Sequence, residues 1–263
     1  MLSDSAKQTF SISWDIAKRN YIQRFRGNAM GVVWILLNPL MMMCLYTVVF
    51  GYIFKGKYAD RADGNTVEYA LGIFLGIVVL GWFTETISAS INVIGANRNL
   101  VKKVVFPLSV LPISVFIQST ISFIAGIVMV IIASHVLGYG SMMQLMAIPL
   151  IGIGMILGLG ISFFVSSLGP FFRDLNHLVG FISLLLLNSS AVFFSISAIP
   201  QAFSFIVPIN PFMHIIEAMR CVLLWGEYPS SSGMWILCAW AVGFFAVGIL
   251  FFRSVQSIFT DVI

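Results

Sequence analysis

Residues 104–172 read VVFPLSVLPISVFIQSTISFIAGIVMVIIASHVLGYGSMMQLMAIPLIGIGMILGLGISFFVSSLGPFF and contain no Asp, Glu, Lys or Arg. A helix that crosses a bilayer needs about 20 predominantly apolar residues, so this stretch has room for two crossings and a turn. Residues 175–216 and 228–252 also lack these four charged residue types. The whole chain is 59% hydrophobic and 9% charged, whereas a soluble domain carries about 25% charged residues. The sequence therefore predicts an all-α integral membrane protein.

Six transmembrane helices are predicted from the apolar segments and the breaks between them. Their expected bounds are 30–54, 69–94, 107–137, 143–170, 175–195 and 235–252. Residues 198–225, between spans five and six, are apolar, but three prolines divide them into pieces too short to cross. We predict that these pieces are short re-entrant or interfacial helices, because irregular backbone at membrane depth survives only beside protein or a water-filled cavity.

The N-terminal segment predicts an amphipathic helix over residues 8–26. Aromatic and small side chains fall within one narrow arc at 100° per residue, with cations at its edges, as suits the membrane–water interface. Packing on a partner domain is an alternative that is compatible with the first. We therefore divide the chain into an interface helix, residues 1–27, and a transmembrane domain, residues 28–263. The arc consists of Phe10, Trp14, Ala17, Tyr21 and Phe25.

The distribution of Lys and Arg predicts the orientation of the chain, since these residues are in excess in cytoplasmic loops. Residues 1–26 carry seven charged side chains and no apolar core typical of a secretory signal peptide, so we expect the N-terminus in the cytoplasm. With six spans, ten Lys and Arg residues fall inside and four outside. Both termini are therefore expected to be cytoplasmic.

Little in the sequence suggests catalysis. It contains no HExxH and no GxSxG motif, and its three histidines lie in different segments. It also lacks the GxxxxGK[ST] phosphate-binding loop, so any ATP hydrolysis that drives the protein requires another subunit. Glu85 is the only acidic residue within a predicted span, too few for a relay of several carboxylates. We expect no catalytic residue, no metal, no cofactor in this chain and no nucleic-acid partner.

Several short motifs lie along the chain. They are WDI at 14–16, RFR at 24–26, GVVW at 31–34, NPL at 38–40, LVKKVVFP at 100–107, RDLNH at 173–177, IP at 199–200 and NPFMHIIEAMR at 210–220. In this order they resemble the type-2 ABC exporter permeases of bacterial polysaccharide export, the channel subunits for O-antigen, capsule and teichoic acid chains. The resemblance covers nearly the whole length. It departs at Leu108, where similar chains often carry Arg, and at residues 188–190, where they often carry Ser-Pro.

The resemblance implies a permease subunit of an ATP-driven exporter that moves a lipid-linked, O-antigen-like polysaccharide across the bacterial inner membrane. Two copies of the chain would form the channel within the membrane lipid, and two ABC ATPase subunits carrying ATP and Mg²⁺ would dock beneath it. A type-2 permease for drugs or lipids is the close alternative. A polytopic membrane acyltransferase is an alternative from another class, with His177 beside Arg173 and Asp174 as its candidate group.

Residues 95–106 resemble the coupling helix of the family, which fits an ATPase groove. The alternative is a plain cytoplasmic loop that carries positive charge. The candidate contacts with the ATPase are Arg98, Leu100, Val101, Lys102, Lys103 and Val104.

Asn210 and Pro211 are an N-cap and first-turn pair that opens a short helix. The resemblance implies that this helix gates the outer mouth of the channel. Glu217 and Arg220 are spaced i,i+3 and can pair, and simple charge neutralisation is the alternative role for them.

Two further sets of candidates concern the substrate. Aromatic side chains suit a channel wall, because flat rings stack on the C–H faces of sugars, with lipid-facing or packing roles as the alternative. Arg24 and Arg26 could bind the phosphate of a lipid-linked polysaccharide through charge-assisted hydrogen bonds, or act as cytoplasmic anchors. The channel candidates are Tyr46, Phe50, Phe193 and Phe194.

Overall fold

The computed structural model describes residues 2–25, 30–58, 65–103, 107–172 and 174–259. Within these ranges the chain is built from helices joined by short turns, without a β-strand. The α-helices are α1 (Leu2–Phe25), α2 (Trp34–Tyr46), α3 (Thr66–Ala96), α4 (Arg98–Lys103), α5 (Val110–Val136), α6 (Ala147–Leu168), α7 (Leu175–Ser189), α8 (Ile206–Ile209), α9 (Pro211–Arg220) and α10 (Ser231–Val255).

Among the described residues, five helical segments are long and apolar enough to cross a membrane: Trp34–Ile53, Thr66–Ala96, Val110–Val136, Met142–Leu168 and Ser231–Ile258. A sixth crossing is obtained if the bent pair Gln201–Ile209 and Pro211–Trp225 is counted as one broken span, and its two parts meet at 91°. The predicted all-α membrane fold is thus confirmed, with five to six crossings. The bent pair lies where the sequence predicts short re-entrant helices.

The fifth predicted span is shorter than expected, and this boundary is corrected. Helix α7 ends at Ser189 instead of residue 195, and its 15 residues rise only about 22 Å at 1.5 Å per residue, less than the apolar core of a bilayer, about 30 Å. Ala191 then adopts a left-handed conformation with φ 55°. The carbonyl oxygens of Ala191 and Val192 accept hydrogen bonds from Arg220, so they are not aligned in a continuing helix.

Helix α3 lies at the centre of the bundle and is the most buried of the candidate spans. Its N-terminus is capped by Asn65, whose side-chain oxygen accepts from the backbone N–H of Val67 at 3.1 Å. Trp82, in the middle of α3, stacks on Phe123 of α5 with ring centroids 4.1 Å apart. The indole N–H of Trp82 donates to the hydroxyl of Thr120 at 3.0 Å, which satisfies its polar atom inside an apolar core.

Helices α6 and α10 approach each other closely at two glycines. A Cβ atom added to Gly248 would collide with the carbonyl oxygen of Gly160, and one added to Gly160 would lie 2.5 Å from the backbone of Phe244. Small residues at such crossings allow the backbones of membrane helices to pack closely. This contact fixes the last span against the fourth.

Helices α2 and α7 are both left uncovered by the rest of the chain, and the residues that follow them meet where the rings of Phe50 and Phe193 lie 5.7 Å apart. Neither α2 nor α7 contains a buried residue in the single chain. Both are strongly apolar, and their exposed side chains include Leu36, Met41, Phe181, Leu184 and Leu185. The side formed by α2 and α7 is therefore available for lipid or for another protein chain.

Helix α1 begins earlier than predicted and packs along α5. Ala17 and Tyr21 are buried, and the hydroxyl of Tyr21 lies 3.3 Å from that of Ser122. Phe10 and Trp14 remain 59% and 46% exposed. The predicted arc is thus divided, because Ala17 and Tyr21 contact the helical bundle while Phe10 and Trp14 stay exposed; the side chain of Phe25 lies outside the described part of the chain.

Candidate functional site

Arg220 lies at the centre of a hydrogen-bond network that joins α9 to the end of α7. Its side chain is fully buried, and its Nη1 atom donates to Oε2 of Glu217 at 2.9 Å. Its Nη2 atom donates to the carbonyl oxygens of Ala191 and Val192 at 3.0 and 3.2 Å. The guanidinium also lies 4.6 Å from the ring centroid of Tyr58. Desolvation by burial raises the pKa of Tyr58, so its ring is neutral beside the cation.

Asn210 strengthens the same connection. Its side-chain oxygen accepts from the backbone N–H of Phe212 at 3.0 Å, which caps α9, and Pro211 occupies the first turn. Its amide nitrogen donates to the carbonyl oxygen of Ser189 and to the hydroxyl of Ser190, both at 3.1 Å. The four residues assigned to the outer gate therefore lie on one short helix that is held against the C-terminal end of α7.

Three of the four aromatic channel candidates lie together. The ring of Phe50 is 5.9 Å from that of Tyr46 and 5.7 Å from that of Phe193. The hydroxyl of Tyr69 donates to the carbonyl oxygen of Phe193 at 2.9 Å, which fixes the position of that residue. All three candidates are half-buried at the edge of the side formed by α2 and α7.

Phe194 points to a separate apolar cavity of about 600 Å³ between α7 and the re-entrant segment. The cavity is open along one side of α7. Its lining is almost wholly apolar and includes Phe181, Leu184, Leu185, Phe194, Phe203 and Ile206.

Arg24, at the end of α1, forms an ion pair with Glu85 of α3. The Nη1 atom of Arg24 lies 2.5 Å from Oε1 of Glu85, and the two side chains are 59% and 31% exposed. The pair borders a cavity of about 290 Å³ between α1, α2, α3 and α5, which is also lined by Tyr21, Asn38 and Ser122. Arg26, the second candidate phosphate contact, lies outside the described residues.

Helix α4 presents two cations outward and one valine inward. Arg98 and Lys102 are exposed and Leu100 is half-buried, whereas Val101 is only 7% exposed. Val101 packs in a cluster with Ile94 and other buried residues from α3, α5, α6 and the C-terminal helix. The inward side of α4 therefore binds it to the bundle, and its outward side is free for a partner. Val104 and the side chain of Lys103 lie outside the described part of the chain.

A pair of asparagines links α3 to α7 near α4. Nδ2 of Asn92 donates to Oδ1 of Asn176 at 2.7 Å, and Nδ2 of Asn176 donates to Oδ1 of Asn92 at 3.0 Å. Sequence reasoning missed this pair, because 84 positions separate the two residues. A polar residue on each of two apolar helices was the available signal.

The three histidines of the chain lie on different helices of the described ranges, α5, α7 and α9. No set of three or more His, Cys, Asp or Glu side chains that could hold a metal ion is found there. His177 is exposed near the start of α7, and Arg173 lies outside the described residues. His214 contacts the carbonyl oxygen of Val207 at 2.9 Å, which is a structural role within the bent pair.

A bundle of long apolar helices, with a bent helix pair and the short basic helix α4 beside it, defines a multi-pass membrane protein. The family model described as "ABC-2 type transporter" matches residues 14–224, and the chain belongs to this family. It is 27% identical over 254 residues to the O-antigen export system permease protein RfbA of Klebsiella pneumoniae, covering 94% of this chain and 93% of that protein.

Two other relatives agree with this assignment. A protein of Myxococcus xanthus with the same name is 23% identical over 230 residues, covering 86% of this chain and 85% of the relative. The polysialic acid transport protein KpsM of Escherichia coli is 20% identical over 235 residues, covering 88% of each chain. The resemblance to polysaccharide export permeases, predicted from the motifs, is confirmed.

Proposed function

We propose that this chain is the channel-forming permease of an ATP-driven exporter that moves a lipid-linked, O-antigen-like polysaccharide across the bacterial inner membrane. The observation that carries the proposal is the similarity to O-antigen export permeases over almost the full length of both chains. The chain itself performs transport and no covalent chemistry.

The channel forms between two copies of this chain. The uncovered apolar side made by α2 and α7 supports this arrangement, because large exposed apolar surfaces mark contacts with other chains or with lipid. Closed two-fold pairing is the commonest form of self-association. The cluster of Tyr46, Phe50 and Phe193 at the edge of this side then faces the channel, together with Phe194, and offers flat surfaces to sugar rings.

ATP hydrolysis takes place on two copies of a separate ATPase subunit, which binds ATP and Mg²⁺. The lack of a phosphate-binding loop in this sequence supports that division of labour. The outward side of α4, with Arg98, Leu100 and Lys102, fits an ATPase groove on the cytoplasmic face. Both termini lie on that same face.

The substrate enters by its phosphate and leaves past the re-entrant helix. Arg24 and Arg26 bind the phosphate at the cytoplasmic interface, where a guanidinium offers paired donors to phosphate oxygens. At the opposite end, α9 with Asn210, Pro211, Glu217 and Arg220 forms the outer gate.

Deleting the gene in its native bacterium tests the proposal. We expect the polysaccharide to be synthesised but to stay on the cytoplasmic side, inaccessible to an antibody or a glycosidase added to intact cells. The wild-type gene should restore surface polysaccharide. Normal surface polysaccharide in the deletion strain, together with a defect in drug resistance or lipid distribution, would contradict the proposal.

A further inference from the structure

Glu85 is an acidic side chain within a membrane-spanning helix, where an ionised group is costly unless it is paired. The structure pairs it with Arg24, an arginine that comes from the interface helix and not from a neighbouring span. The ion pair therefore joins a largely exposed arginine of α1 to a less exposed carboxylate of α3. Either partner can in principle exchange for another ion.

Arg24 keeps donors available on its open side. Its side chain is 59% exposed, and only its Nη1 atom is bonded to Glu85 in the ion pair. A guanidinium has five N–H donors in a fixed fork. A phosphate can therefore approach Arg24 from the open side and then take over the position of the carboxylate.

The cavity beside the pair is large enough for a small headgroup, and its mostly apolar wall carries a few polar side chains besides Arg24 and Glu85. Its volume is about 290 Å³, roughly that of ten water molecules at about 30 Å³ each. Tyr21 and Ser122 place hydroxyl groups on its wall, and Asn38 places an amide there. This is room for one phosphate or diphosphate group, and the polymer must lie outside it.

Charge decides which anion can displace Glu85. A phosphodiester headgroup of an ordinary membrane lipid carries a single negative charge, so its exchange for the carboxylate gains little. A terminal phosphate carries about −1.5 to −2 charges at neutral pH, and a diphosphate carries more. These groups therefore have a stronger Coulomb attraction to Arg24 than the single-charged headgroup or the Glu85 carboxylate has.

We propose that Glu85 is an exchangeable counter-ion that occupies Arg24 and excludes single-charged membrane phospholipids from it, so that only a terminal phosphate or diphosphate of a lipid-linked substrate displaces it. This inference rests on the proposed function, in which Arg24 binds the phosphate. It adds a selectivity role for Glu85. In the alternative, Glu85 merely holds Arg24 in place, and then its removal weakens phosphate binding.

The test is to measure how strongly a lipid diphosphate binds to the purified full-length chain in nanodiscs of phosphatidylcholine. The measurement shows whether replacing Glu85 strengthens or weakens that binding. The probe is radiolabelled farnesyl diphosphate, with phosphatidylglycerol added to the nanodiscs as competitor. For the wild type we expect binding that phosphatidylglycerol displaces poorly. For Glu85→Gln we expect farnesyl diphosphate to bind at least tenfold more tightly. We also expect phosphatidylglycerol to displace it at a fraction in the nanodisc at least tenfold lower than the wild type requires.

Three control variants separate the possible failures. Glu68→Gln, the same change in the first turn of α3, should behave like the wild type. Glu85→Asp draws the carboxylate back by one methylene and should shift binding in the same direction as Glu85→Gln, by a smaller factor. Weaker or unchanged binding in both Glu85 variants overturns the counter-ion role. Arg24→Gln should abolish the selectivity for farnesyl diphosphate over phosphatidylglycerol. If this variant binds farnesyl diphosphate as the wild type does, Arg24 does not contact the phosphate.

Discussion

The Nη2 atom of Arg220 donates to the carbonyl oxygen of Ala191 at 3.0 Å, so a fully buried guanidinium connects helix α9 to the chain just after α7. The same side chain pairs with Glu217 and lies over the ring of Tyr58. The chain just beyond α7 thus leaves the helix where the carbonyl oxygens of Ala191 and Val192 find a side-chain donor.

Replacing Arg220 by Met should destabilise the protein. It leaves the carbonyl oxygens of Ala191 and Val192 without their donor, and each buried polar group without a partner costs about 1–3 kcal/mol. We expect a clearly lower midpoint of thermal unfolding in detergent. Size-exclusion chromatography of heated samples measures this midpoint. Arg253→Met, at an exposed arginine near the end of α10, is the control. Equal midpoints for the two variants would show that the network does not support the fold.

The glycines at the crossing of α6 and α10 should not tolerate a methyl group. Gly160→Ala and Gly248→Ala bring a Cβ atom against backbone of the facing helix, and overpacking of this kind costs about 1–3 kcal/mol. Gly152 and Gly243 lie on the same two helices with nothing within 4 Å of an added Cβ. Alanine at these control positions should leave the unfolding midpoint unchanged. A similar loss at all four positions would argue against the close crossing.

Reversing the charges of Arg98 and Lys102 should release the ATPase while leaving the permease folded. Both side chains are exposed on α4, so Arg98→Glu combined with Lys102→Glu alters the outward side alone. We expect the amount of ATPase that copurifies with the tagged chain to fall at least tenfold. Lys55→Glu with Lys57→Glu, in the loop after α2, makes the same change of charge and should retain the ATPase. Retention by the α4 variant would remove α4 from the interface.

The two hydrogen bonds between Asn92 and Asn176 should couple α3 to α7. Because both side chains are exposed, we expect an interaction free energy of only about 0.5 kcal/mol from a double-mutant cycle of the two alanine variants on thermal unfolding. Asn188→Ala, which removes a bond within α7 to the carbonyl oxygen of Leu184, should combine additively with Asn92→Ala. Additive effects of Asn92→Ala and Asn176→Ala would show that the pair is not coupled.

Local features were well predicted from the sequence. Long uncharged stretches identify the crossing helices because an apolar segment of that length has a favourable place only in a bilayer. The cap at Asn210 and the pair of Glu217 with Arg220 were also predictable, since both depend on neighbours within one short helix. The resemblance of the motifs added the family, which the comparison with known proteins confirmed.

Contacts between distant parts of the chain were not predictable in the same way. Arg24 and Glu85 are 61 positions apart, and Arg220 and Ala191 are 29 apart. Nothing in the local pattern assigns a partner to either arginine. The early end of α7 was not predictable for the same reason, because the carbonyl oxygens of Ala191 and Val192 accept from the distant Arg220.

The most direct test of the account is transport by proteoliposomes that contain this chain and the ATPase that copurifies with it. Lipid-linked polysaccharide is supplied on the outside, and the fraction that becomes protected from an added glycosidase is measured with and without ATP. The account predicts protection that requires ATP and is lost in vesicles lacking this chain. Polysaccharide that stays fully sensitive to the glycosidase in the presence of ATP, while the ATPase is active, would contradict it.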